Sequence, residues 1–210
     1  MKTLFACRGS GNCMKPWLAM LQLDQTFKVT LIDVLKGEQK TAAYLKRNPL
    51  GVVPFLDAGQ GVGLGESNAM LWFLAENTHL MPTSPEERAE ALQWMFFEQS
   101  KLEPFISPAR FFSFIRPEQR SERAEDIAYW QNQARPGLER LNAHLATRQF
   151  ILASGYSIAD IALFGYGHVM DEAGLDAAAY PMIQRWIEDV QQTKGFQPLQ
   201  NMGEAEARAA

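Results

Sequence analysis

The sequence predicts an α/β unit followed by an all-α unit. Strand and helix signals alternate in the order βαβαββα over residues 1–77, a turn-rich linker spans 78–85, and strand signals vanish over 86–210. Thr3-Leu4-Phe5-Ala6 reads as a short buried strand, and Lys15 to Leu23 carries helical apolar spacing with Met14, Leu18 and Leu21. Phe27 to Ile32 alternates and is rich in β-branched residues, so it reads as a second strand. Thr41 to Arg47 reads as a short helix stopped by Asn48-Pro49, because the residue before a proline avoids the α region. Val53 to Leu56 and Gly61 to Leu64 flank the turn Asp57-Ala58-Gly59-Gln60 as a hairpin. Glu66 to Asn77 closes the unit as a helix with its stripe at Met70, Leu71, Leu74 and Ala75.

After the linker, helices are expected over Glu86 to about Ile115, Glu118 to about Leu145, Ser157 to Met170 and Pro181 to Gln192, with a short one after Gly195. Most of the aromatics Trp94, Phe96, Phe97, Phe105, Phe111, Phe112 and Phe114 are expected in the core, a few walling an apolar pocket at the junction. Ser157 and Asp160 stand at capping-box spacing before an apolar helix, a structural role. The tail from Gly203 to Ala210 is simple enough to fray.

Composition narrows the function. Apolar residues make up 47% and charged residues 21% of 210, an ordinary soluble balance. A net charge of −4 gives no basic face for nucleic acid. No stretch approaches the roughly 20 apolar residues of a membrane span. His79, His144 and His168 are scattered, so no metal site is expected. Two cysteines, Cys7 and Cys13, and no signal-peptide pattern in MKTLFACRGSGN favour a reducing, cytoplasmic setting.

Three stretches carry chemistry. In Ser10-Gly11-Asn12-Cys13 a serine stands where a Cys-x-x-Cys motif has its first cysteine. Pro16 donates no N–H, so the helix is expected to start around Cys13, leaving Ser10, Gly11 and Asn12 in the loop at its positive end. A thiol brought there has its thiolate stabilised, with the Ser10 hydroxyl and Asn12 amide as donors. A serine nucleophile is the weaker reading, since Gly-x-Ser-x-Gly is missing. Cys13 is either an activated thiol or, by preference, a small buried residue. Pro54 opens an apparent strand; a cis bond there turns the Val53 backbone toward a ligand, and a plain trans proline is the alternative. At Gly65-Glu66-Ser67-Asn68 a helix start suits a carboxylate, with Ser67 as donor and Glu66 for an ammonium; the alternative makes Ser67 only an N-cap.

Together these motifs resemble the glutathione transferase family, in particular its bacterial theta- and nu-like members, over nearly the whole chain. The resemblance implies a thioredoxin-like domain at 1–77, an all-helical domain at 86–210, glutathione as cofactor and a homodimer serving detoxification. It places Ser10 at the residue that donates to the glutathione sulfur and Asn12 at an asparagine of similar function in nu-like members. Gln39, assisted by Lys40, falls where the glycine end is bound. Val53, before Pro54, would pair with the cysteinyl unit, and Glu66 and Ser67 would hold the γ-glutamyl ammonium and carboxylate. Lys15-Pro16-Trp17 departs from the basic-Val-Arg pattern of relatives. The activity implied is conjugation of glutathione to a small-molecule electrophile. The alternatives are disulfide reduction, peroxidase activity, or a non-catalytic binding or assembly protein.

Overall fold

The computed structural model describes residues 1–203 and the backbone of 206–207. The chain separates into two compact units, Met1–Met81 with Thr193–Ala210, and Pro82–Gln192. The helical unit thus ends short of residue 210, where the sequence pattern alone extends it.

In the first unit the elements are β1 (Lys2–Ala6), α1 (Gly11–Gln22), β2 (Phe27–Leu31), α2 (Ala42–Leu45), β3 (Phe55–Gly59), β4 (Val62–Leu64) and α3 (Ser67–Ala75). The expected βαβαββα order is thus observed. With β5 (Glu206–Ala207) the sheet runs β4-β3-β1-β2-β5. β1 and β2 are parallel, which demands the crossover that α1 supplies, whereas β3 and β4 form an antiparallel hairpin. The tail, expected to fray, pairs antiparallel with β2 at 206–207, and its residues 204, 205 and 208–210 lie outside the described residues.

Register explains the two apolar faces. Leu4 pairs with Leu56 and Phe5 with Phe55, and neighbouring side chains of a strand point to opposite faces. Leu4 and Leu56 are fully buried, as are Leu18 of α1 and Met70 and Leu71 of α3, two helices that pack on each other. Phe5 and Phe55 form a separate cluster with Tyr44 of α2. Burial of each large apolar side chain contributes about 1.5–3 kcal/mol.

Helix α1 starts earlier than expected, at Gly11, which puts Asn12 and Cys13 in its first turn and Pro16 inside it. Ser10 makes this start workable. Its Oγ accepts the Cys13 N–H at 3.3 Å, and its carbonyl accepts the Met14 N–H at 3.0 Å. The bond Pro16 forfeits is the one to the Asn12 carbonyl, four residues back.

The second unit contains α4 (Pro85–Phe97), α5 (Glu103–Arg110), α6 (Ala124–Leu145), α7 (Ile158–Gly167) and α8 (Pro181–Gln191). The long run from Glu86 to Ile115 is helical but widens into π turns at Glu98–Leu102 and Phe111–Ile115. Pro104 has no N–H for the Ser100 carbonyl, and the Glu103 N–H reaches back to Glu98 instead. The aromatic group is less buried than expected. Trp94 is buried, whereas Phe96 is 70% and Phe114 55% exposed. Phe96 lies about 200° round the helix from Trp94, so the two cannot share a face.

All of α7 is buried, and its start is the expected capping box. Asp160 does more than cap. Its Oδ2 accepts the Ser157 N–H, and its Oδ1 accepts the Ile151 N–H and the Trp186 indole N–H, each at 2.9 Å. Burial nevertheless raises its pKa to about 6. Later in the same segment, His168 stacks on Phe164, and burial lowers its pKa to about 4, with Arg110 lowering it further and Asp171 opposing.

These two groups give opposed pH effects. Folded Asp160 takes up its proton above its ordinary value of 3.8, so its contribution to stability falls as pH rises from about 4 to about 6. Folded His168 resists its proton below its ordinary 6.5, so its contribution is lost as pH falls from 6.5 to about 4. Chemical denaturation across this window should therefore show a small net slope from the pair. Asp160→Asn, which turns an N–H2 against a buried N–H, should cost about 2–3 kcal/mol. It should also make stability climb more steeply with pH than in the wild type; an unaltered slope would refute the assignment.

Candidate functional site

The site begins at the N-terminus of α1. Ser10 accepts the Cys13 N–H through a lone pair, which leaves its hydroxyl proton to donate elsewhere. Two residues on, Asn12 Oδ1 accepts from Lys15 Nζ at 3.0 Å and from the Ser67 hydroxyl at 3.2 Å. The second bond joins the first turns of α1 and α3, so Asn12 and Ser67, candidates 55 residues apart, are brought together. Lys15 is fully buried.

The cysteines are quiet. Cys13 is fully buried, its sulfur accepts the Cys7 N–H at 3.3 Å, and burial pushes its pKa up to about 12. Burial also raises Cys7. At neutral pH both are thiols, and a thiol is a poor nucleophile. Of the two sequence readings of Cys13, the small buried residue is the one observed.

At the start of α3, Glu66 rather than Ser67 is the N-cap, and its side chain makes no capping bond. Its φ of +61° is in the left-handed region, which costs a non-glycine residue about 1 kcal/mol or more and is found preferentially at functional sites. The Glu66 side chain is exposed, whereas Ser67 is buried. Ser67 is therefore not spent on capping, in contrast to the plainer sequence expectation.

The Val53–Pro54 peptide is cis. The preceding loop is clamped by two residues that no sequence motif assigns to the site. Val52 O accepts from both the Tyr44 hydroxyl and Asn48 Nδ2 at 2.8 Å, and Asn48 Oδ1 accepts the Leu50 N–H at 3.2 Å. Gly51 passes so close to its neighbours that a Cβ would stand 3.1 Å from both Gln39 O and Lys40 Nζ, and its φ is +60°. Gln39 and Lys40 thus form a second group, packed on this loop. Gln39 Nε2 donates to Val34 O at 3.4 Å, while its Oε1 is buried with no hydrogen-bond partner among the described residues. That oxygen is an acceptor awaiting an N–H.

Lys15 is a further residue of the site that the motifs do not assign. It stands four residues after Gly11 and three before Leu18, on one face of the helix with them, so helical spacing alone would have flagged a lysine turned inward. Among the described residues no cluster of His, Cys, Asp or Glu is placed to hold a metal ion, and no helix is long and apolar enough to cross a membrane.

Comparison with known proteins agrees with this geometry. Residues 4–82 match the glutathione S-transferase N-terminal domain, and residues 86–189 match the C-terminal domain of the same family. The crystal structure of a possible glutathione S-transferase from Rhodopseudomonas palustris superposes with a TM-score of 0.93 at 38% identity, covering 98% of this chain and 92% of that one. The disulfide-bond oxidoreductase YfcG of Escherichia coli K12 is 28% identical, covering 89% of this chain and 87% of its own. Elongation factor 1-gamma of Artemia salina is 29% identical over 89% of this chain, which spans only 40% of that protein. With both domain types matched in order and the whole fold shared, the chain belongs to the glutathione S-transferase family.

Proposed function

We propose that the protein binds glutathione in its first unit, stabilises the thiolate and transfers it to an electrophilic small molecule. The observation that carries this reading is the helix terminus itself. Two uncharged donors, Ser10 and Asn12, stand at the positive end of α1, while both of the protein's own thiols are kept protonated by burial. The thiolate such an end favours is one that arrives with a ligand.

Each end of glutathione has a candidate partner. The exposed Glu66 carboxylate suits the γ-glutamyl ammonium, and the α3 N-terminus with Ser67 suits the adjoining carboxylate. The Val53 backbone, ahead of cis Pro54, suits antiparallel pairing with the cysteinyl unit. Gln39 Oε1 suits the glycyl N–H, leaving the terminal carboxylate to Lys40. In the reaction the thiol proton leaves to solvent, the sulfur bonds the electrophilic carbon, and the leaving group departs with its electron pair. A cysteine-type thiol has a pKa of about 8.5, and each unit of lowering is worth about 1.4 kcal/mol, so two or three hydrogen bonds can populate thiolate at neutral pH. We take the two domains as divided at the 78–85 linker and the working form as a cytoplasmic homodimer, which light scattering checks for mass.

Glutathione-dependent disulfide reduction is the second reading, favoured by Asn12 and by the oxidoreductase relative. The third, a non-catalytic binding or assembly protein, is favoured by the elongation-factor relative. Turnover of a chloronitrobenzene against that of a hydroxyethyl disulfide separates the first two. Absence of heat on titration with millimolar glutathione favours the third.

Ser10→Ala and Asn12→Ala should each raise the pKa of the bound thiol by about one unit, lowering neutral-pH turnover severalfold. Ser10→Ala should also cost about 1 kcal/mol of stability, as a lost cap. Cys13 should resist alkylation in the folded protein and react on denaturation. If Cys13→Ser abolishes disulfide reduction while Ser10→Ala leaves it intact, the choice of serine is wrong.

A further inference from the structure

The second unit holds a groove that the glutathione reading does not use. It has a volume of about 480 Å³ and lies between α4 and α6. Glu90, Gln93 and Trp94 line it from α4, and Arg140 and His144 from α6. Spacings of three and four residues put each set on one face of its helix. Trp94 is buried, and its ring meets that of His144 with centroids 4.4 Å apart, so the two rings floor the groove. Its end is tied by Arg148, whose Nη1 donates to Glu90 Oε1 at 2.8 Å and to Ile151 O at 3.2 Å. His144 Nε2 donates to the same carbonyl at 2.8 Å, since a carbonyl only accepts. These bonds hold the groove open in the protein alone.

What the groove lacks is an acceptor. Trp94 Nε1 is buried with no hydrogen-bond partner among the described residues, and an indole nitrogen only donates. Arg140 has no acidic partner among the described residues. The exposed Gln93 amide, next to Trp94 in the chain, adds a further donor. Glu90 is already paired with Arg148, so the arginines and the acid leave one surplus positive charge. One charge matches a monoanion better than a phosphate dianion. A carboxylate has the two coplanar oxygens that a guanidinium fork takes side by side, and the aromatic floor suits an apolar body behind it.

We propose that this groove binds a monoanionic organic carboxylate. Arg140 takes its two oxygens, the Trp94 N–H reaches one of them, and its apolar body lies over the Trp94 and His144 rings. The proposal is independent of glutathione, whose candidate partners all lie in the first unit.

The probes are benzoate and its neutral counterpart benzamide, each titrated calorimetrically in saturating glutathione so that the first-unit site is filled. The proteins are the wild type, Arg140→Gln, Arg140→Lys and Trp94→Phe. Benzoate should bind saturably, and benzamide about tenfold more weakly or less. Arg140→Gln should weaken benzoate about tenfold, and Arg140→Lys, which keeps the charge without the fork, by less. Trp94→Phe, which keeps a ring and removes the N–H, should weaken it about fivefold. Chloronitrobenzene turnover by Arg140→Gln should match the wild type. Equal binding of benzoate and benzamide overturns the proposal, as does wild-type benzoate affinity in Arg140→Gln or in a folded Trp94→Phe. A lower mass of Arg140→Gln by light scattering overturns it as well, because the groove would then hold an acidic side chain of a second copy. Arg140 is exposed, so its two variants decide the matter even where Trp94→Phe does not fold.

Discussion

One carbonyl oxygen, Asn12 Oδ1, joins the start of α1 to the start of α3. Helix N-termini leave several N–H groups without intrahelical partners, so bringing two of them together concentrates positive potential in one place. Such an arrangement invites an anion. The buried Lys15 lies beside them, its Nζ donating to the same Asn12 oxygen at 3.0 Å. Ser10, Ser67 and Glu66 then take their positions from the ends of the same two helices.

The other half of the site depends on a loop that has no regular hydrogen-bond ladder. Residues 49–54 hold their course because Asn48 and Tyr44 bind the Val52 carbonyl, and because Gly51 permits an approach that no side chain would. Tyr44 also belongs to the Phe5–Phe55 cluster, so the loop is tied to the face of the sheet opposite α1. The position of the Val53 backbone is therefore set by the core beneath it. A rigid scaffold carrying an irregular loop is a common way to hold a ligand.

Much of this is legible in the sequence, for identifiable reasons. Alternation at Phe27 to Ile32 and the Asn48-Pro49 stop are local signals, and they suffice for the βαβαββα order. The capping box at Ser157 and Asp160 is equally local. The features that escape a sequence reading are of two kinds, local signals that compete and contacts distant along the chain. Pro16 argues for a late start to α1, whereas Ser10 supplies enough capping to carry the helix over one lost bond. Composition overestimates the burial of the aromatics, because it does not say which helical face each one occupies. The Trp186 bond to Asp160 and the Asn12–Ser67 bond span 26 and 55 residues, and no spacing rule points to either.

The widened turn at Glu98–Leu102 has a consequence for how this helix tolerates length change. In a regular α-helix, dropping one residue swings everything downstream by about 100° and misaligns the packed stripe. A π turn carries a surplus residue already, so excising one there lets the backbone relax to ordinary pitch while Ile106 and Ala109 keep their places in the interior. Residues 98–102 are thus a slack link in the rod, where one residue can be lost without rebuilding the turns beyond it.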